Sequence, residues 1–193
     1  MPVLGPEPAT SEADYTPLAT PAELRSYLGL DESQLGDERA NLILVGVSAE
    51  IRKHTGQIFD QVEDDEVILD SIGSSVLLLP QLPVIDIASI EDLDDDTATF
   101  TVVTDYRWSV RGIIRRTGAR WAEGLRRYKV TYTHGYENIP DDLTLICLRA
   151  AARAAGNPEG LTQESMGNYS ASWGLAVAGL TDIDRRDLDF YRA

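Results

Sequence analysis

Apolar positions along this chain repeat in two different periods, and the periods occupy different stretches. From Asp37 to Thr55, Ala40, Leu44, Val47 and Ile51 recur at helical spacing, and Gly56 stands where a helix needs a left-handed stop. A shorter helix is predicted over 20–29. Thr20 is placed to cap it, Pro21 opens it, Glu23 holds the capping-box position and Gly29 ends it. A third helix is predicted over 140–155. Pro140 opens it, Asp141 and Asp142 lie where the helix dipole favours acids, and Leu143, Ile146, Cys147, Ala150, Ala151 and Ala154 form its apolar stripe. A terminal helix over 181–192 takes Thr181 as its cap.

Between the second and third helices the period shortens. "EVILD", "SVLLLP", "VIDIASI" and "TFTVV" are β-branched segments parted by turn residues. Tyr106, Trp108 and Val110 alternate with Arg107, Ser109 and Arg111, and Tyr128, Val130 and Tyr132 alternate with Arg127, Lys129 and Thr131. The expectation is an antiparallel β module over about 64–134 with one buried face. The fold class is therefore α+β, a small helical bundle carrying a β insertion, in a single domain over 20–193. Residues 1–19, with Pro2, Pro6, Pro8 and Pro17, read as a flexible arm. Residues 157–179 are rich in Gly, Ser and Asn and read as one long loop.

Composition excludes several classes. The chain has 193 residues and a formal net charge of -15. Such a balance argues against a general nucleic-acid binder and against adhesion to anionic lipid. One cysteine allows no internal disulfide. No secretory signal is expected from "MPVLGPEPATSEADY", and no apolar run approaches the ~20 residues of a spanning helix.

The charge is uneven. Residues 58–106 hold no Lys or Arg, whereas 107–129 hold Arg107, Arg111, Arg115, Arg116, Arg120, Arg126, Arg127 and Lys129 against Glu123 alone. Three readings follow: cross-strand pairs on solvated faces, a phosphate-contacting strip, or complementarity between copies. The last makes Arg107, Arg111, Arg115, Arg116, Arg127 and Lys129 inter-subunit candidates, opposite Asp64, Asp65, Asp94 and Asp95.

Catalytic spacing is missing. There is no P-loop, no dinucleotide fingerprint, no nucleophile elbow and no Cys/His zinc spacing. Asp92–Thr99 bunches carboxylates but lacks the glycine and distal glutamate of a calcium loop. Cys147 falls on an apolar stripe and reads as core. In "VTYTHGYENIPDDL", His134 ends a strand before Gly135 and reads as a residue that hydrogen-bonds the turn.

The order of elements resembles the head-to-tail adaptor (head-completion connector) proteins of siphoviruses, especially phages of actinobacteria. The resemblance is carried by "TPAELRSYLGL", "ANLILVGVSAEIRKHTGQIF", "LLLPQLPVIDIASI", "YTHGYENIPDDLTLICLRAAARA", "ESMGNYSASW" and "LTDIDRRDLDFYR", and it spans about residues 20–192. It implies a helical bundle with a β-rich insertion, assembled as a twelvefold ring under the portal in the virion neck. The ring would extend the DNA channel and meet the stopper or another tail-side protein, without catalysis, metal or cofactor. It also implies that the C-terminal segment docks on the portal, which points to Asp184, Arg185, Arg186, Asp189, Phe190, Tyr191 and Arg192. The stretch with Glu164, Ser165, Asn168, Tyr169 and Ser170 would be an extended loop that orders on assembly. Two other readings stay open: a monomeric protein-binding module, and a small hydrolase using His134 with a carboxylate.

Overall fold

Helix α1 (Pro21–Leu28) begins at a full capping box, with Thr20 and Glu23 each accepting from the other's backbone N–H, and Gly29 closes it in the left-handed region. Helix α2 (Asp37–Thr55) ends at Gly56 in the same way. Residues 16–94, 99–156, 163–166, 169–172 and 179–192 are described by the computed structural model. Helix α3 (Asp141–Gly156) packs against both α1 and α2. Their apolar faces, with Leu24, Leu44, Ile51, Leu143 and Cys147, form the first core.

The second core belongs to the β insertion, which is two sheets where a single module with one buried face was expected. Strands β1 (Val62–Ser71), β3 (Val84–Asp94), β4 (Thr99–Val102) and β7 (Gly124–His134) make an antiparallel sheet in the order β1-β7-β3-β4. Strands β2 (Val76–Leu78), β5 (Tyr106–Trp108) and β6 (Ile113–Arg116) make a smaller one in the order β2-β6-β5. Leu77 and Ile114 from the small sheet and Ile90, Tyr128, Val130 and Tyr132 from the large one share one apolar cluster around Trp121. Trp121 meets Tyr128 edge-on, their ring centroids 4.9 Å apart.

The alternation of β7 holds. Tyr128, Val130 and Tyr132 are fully buried, and His134 continues the same phase. That of β5 does not. Trp108 and Val110 are exposed, because β5 is a short edge strand that stops before Val110. Strand β6, in "GIIRR", carries too short a pattern to be seen without its partners.

Two loop expectations also change. Of the residues read as an arm over 1–19, Leu18 and Ala19 are instead buried in the first core, and Leu18 N–H donates to Ser48 Oγ at 2.9 Å. Residues 1–15 lie outside the described residues. Within 157–179 the backbone forms a hairpin, β8 (Gln163–Met166) with β9 (Tyr169–Ser172), in place of one long loop. Glu164 is opposite Ala171, Ser165 opposite Ser170 and Tyr169 opposite Met166, while Asn168 lies outside the described residues.

Bundle and insertion are stitched by two glutamines. Gln57 Nε2 donates to the Pro80 carbonyl at 3.0 Å, and Gln57 Oε1 accepts from Leu82 N–H at 2.7 Å. In return Gln81 Oε1 accepts from Ile58 N–H at 2.7 Å, and its Nε2 donates to the Gly56 carbonyl at 3.2 Å.

Candidate docking surface

The C-terminal helix α4 (Asp182–Leu188), the 3-10 turn Asp189–Tyr191 and its cap Arg192 hold the residues singled out for docking. Only some of them are free to dock. Asp184 is buried, where it accepts from Thr181 in a second capping box. It also pairs with Arg153 and, at 3.3 Å, with Arg149 of α3. Burial alone would raise its carboxyl pKa; the Thr181 hydrogen bonds and the two guanidinium groups outweigh that and lower it. Leu180 and Leu188 enter the first core on either side.

Tyr191 is the second anchor. Its hydroxyl donates to the Asp142 carboxylate at 2.7 Å, and its ring meets Phe59 edge-on at 5.7 Å. Burial, followed by the Asp142 contact, pushes its phenol pKa up. Arg185 pairs with Glu50 at 3.3 Å and Arg192 with Asp189 at 3.5 Å. His54 ties α2 to this segment through the Arg185 carbonyl at 3.1 Å. What remains outward is a stripe at helical spacing: Ile183, Arg186 and Phe190, with Phe190 80 % exposed. Ile183 was missed by the sequence reading, although its spacing from Arg186 and Phe190 was legible.

The basic residues of the insertion divide in the same way. Arg116 grips Asp105 through two nitrogens, Nη2 at 2.8 Å from Oδ1 and Nε donating to Oδ2 at 3.1 Å. Arg127 pairs with Asp92 at 2.8 Å and Lys129 with Glu66 at 2.7 Å. All three are pairs within the chain, the last two across neighbouring strands. Arg107 and Arg115 lie directly opposite each other across β5 and β6, both exposed. Neither they nor Arg111 makes an ion pair among the described residues. Like charges opposed in a sheet destabilise it unless something neutralises them.

On the acidic side Asp64 sits exposed at a bulge of β1 with positive φ. Asp65 faces inward, its Oδ2 3.2 Å from His134 Nε2. Asp94 ends β3, and Asp95 lies outside the described residues.

His134 therefore bonds Asp65 on the neighbouring strand, where a bond to its own turn was expected. Phase explains it: Asp65 and His134 both point to the inner side of adjacent strands. Burial lowers the imidazole pKa, partly opposed by Asp65. The ring is fully buried, so no substrate reaches it without local opening. Cys147 is equally buried, which pushes its thiol up to about 11. Among the described residues no cluster of three or more His, Cys, Asp or Glu could hold a metal.

Beside the C-terminal turn lies a groove of about 570 Å³. Leu78 and Ile113 of the small sheet, with Val110 of the turn between β5 and β6, line one side, and Phe190 and Tyr191 line the other. Arg111 and Arg192 sit in its lining, which contains no acid. Sequence alone could not bring these segments together.

A helical bundle with an inserted pair of antiparallel sheets is thus the class of fold, and it is shared with proteins in solved structures of a gene transfer agent particle. The chain matches a protein in the neck of an empty gene transfer agent particle computed with C6 symmetry, at 19% identity and a TM-score of 0.57, over 94% of each chain. It also matches one from the neck of the native particle computed with C12 symmetry, at 17% identity and a TM-score of 0.52, over 94% of this chain and 93% of that one. A third match, at 18% identity and a TM-score of 0.58, comes from the native gene transfer agent virion and covers 97% of this chain and 94% of that one. No protein-family model matches the sequence, and neither does any curated protein.

Proposed function

We propose that this chain is a structural neck protein of a virion, a head-to-tail adaptor that forms a ring of twelve copies below the portal. The observation that carries the reading is a fold shared, end to end, with neck proteins of a particle whose neck was solved with C6 and C12 symmetry. The resemblance of "YTHGYENIP" and "LTDIDRRDLDFYR" to siphovirus adaptors supports it independently. The ring extends the DNA channel and joins the capsid to the stopper or tail, a task that needs no catalytic residue. An acidic wall suits a channel that repels DNA and lets it slide.

Within that ring Ile183, Arg186 and Phe190 meet the portal, while Asp184 and Tyr191 hold the segment that presents them. Arg107, Arg111 and Arg115, which make no ion pair among the described residues, meet the acidic edge of the next copy around Asp64, a head-to-tail contact of the kind that closes rings. The deciding experiment is mass by light scattering across concentration, alone and then with portal complex. A ring, or incorporation that depends on portal, is expected. A monomer at every concentration that ignores the portal overturns the proposal.

A further inference from the structure

We propose that the groove between the small sheet and the C-terminal turn is occupied by residues 1–15 of the same chain. The chemistry of the two matches. In a protein of net charge -15, the groove is lined by apolar and aromatic side chains with Arg111 and Arg192 and no acid. Residues 1–15 carry Glu7, Glu12 and Asp14 with no Lys or Arg, beside the apolar pair Val3 and Leu4. They also contain Pro2, Pro6 and Pro8, and proline-rich segments are what aromatic-lined grooves recognise at low entropic cost.

The point of attachment also matches. Thr16 is fixed by Asp60, and by Arg52, which donates to its carbonyl at 2.6 Å. Thr16 and Tyr136 line one recess, and Tyr136 lines the groove as well. The segment therefore starts one side chain away from the groove, and fifteen residues reach up to ~50 Å when extended. A tether this short holds a peptide near its site at roughly millimolar effective concentration, which lets a weak contact persist.

A photo-cross-link on the full chain tests the contact. Gly5→Cys is labelled with a benzophenone maleimide; the buried Cys147 does not compete for the reagent. Irradiation of the protein alone should give cross-links within one chain to residues 78–83, 110–113 or 190–192. Phe190→Ala and Arg111→Glu, both at exposed side chains, should each reduce that yield, roughly tenfold for the aromatic. Cross-links elsewhere, cross-links between chains, no cross-link at all, or a yield unchanged by the two substitutions would each overturn the proposal. No portal is present in the assay, so failure here leaves the adaptor reading standing, and failure of that reading leaves this result standing.

Discussion

His134 and Asp184 are both buried ionisable residues, and their pKa values are both lowered, yet they act on stability in different pH ranges. The imidazole of His134 is held neutral by burial, below its usual 6.5. The unfolded chain binds that proton more readily, so stability is complete above about pH 6.5 and falls as pH drops through the window beneath it. Urea midpoints at pH 7.5 and 5.5 should therefore differ more for the wild type than for His134→Gln. Equal pH dependence in the two proteins would contradict this account. Asp184 is held ionised, so its contribution is present above the unfolded carboxylate value of about 3.9 and is lost as pH falls through the lower folded value. Asp184→Ala breaks the capping box with Thr181 and leaves Arg149 and Arg153 without their shared partner. Both arginines are about a third exposed, so the expected loss is roughly 2 kcal/mol at pH 7, read as a shift in the urea midpoint.

At the scale of elements, the stretch "THGYENIP" sets the angle between sheet and bundle. Gly135 has φ +91, its N–H donates to the Pro83 carbonyl at 3.0 Å, and a Cβ there would overlap the Asp60 carbonyl. Neither the conformation nor the space admits a side chain. Gly135→Ala is expected to cost more than about 3 kcal/mol, or to prevent folding, in thermal or urea unfolding. A stable variant would show that the junction can shift. The glutamine clamp lies at the same junction. Gln57 and Gln81 together satisfy four backbone groups, and each loss leaves donors or acceptors unpaired in a part-buried seam. Gln57→Ala should cost roughly 1–3 kcal/mol, and a double-mutant cycle with Gln81→Ala should be non-additive, because each glutamine holds the loop that carries the other. Much of this level was legible beforehand. The caps Thr20 and Thr181, the stops Gly29 and Gly56 and the phase of Tyr128, Val130 and Tyr132 all act over a few residues. Strand β6 and the hairpin β8–β9 were not, because four-residue strands carry almost no period of their own.

For the whole molecule, charge is the organising quantity. Arg116, Arg127 and Lys129 are spent on pairs within the chain, while Arg107 and Arg115 face each other in solvent. If a neighbouring copy neutralises them, Arg107→Glu together with Arg115→Glu should weaken self-association and its salt dependence without unfolding the monomer. Light scattering at low and high salt, with circular dichroism as the control, checks this. Unchanged mass in the double variant would assign the ring contact elsewhere.

By itself the sequence determined the helices and their ends, the β character of the insertion, the acidic balance and the lack of catalytic spacing. Each of these depends on neighbours a few residues apart or on simple counting. Tertiary structure decided which acid each base meets, why His134 is buried against Asp65, which C-terminal residues are anchors and which are presented, and that 78–83, 110–113 and 190–192 enclose one groove. The reason is register. Once β1 and β3 pair with β7 and the glutamines lock the insertion to the bundle, residues far apart in the chain become neighbours, and no local period encodes that closure.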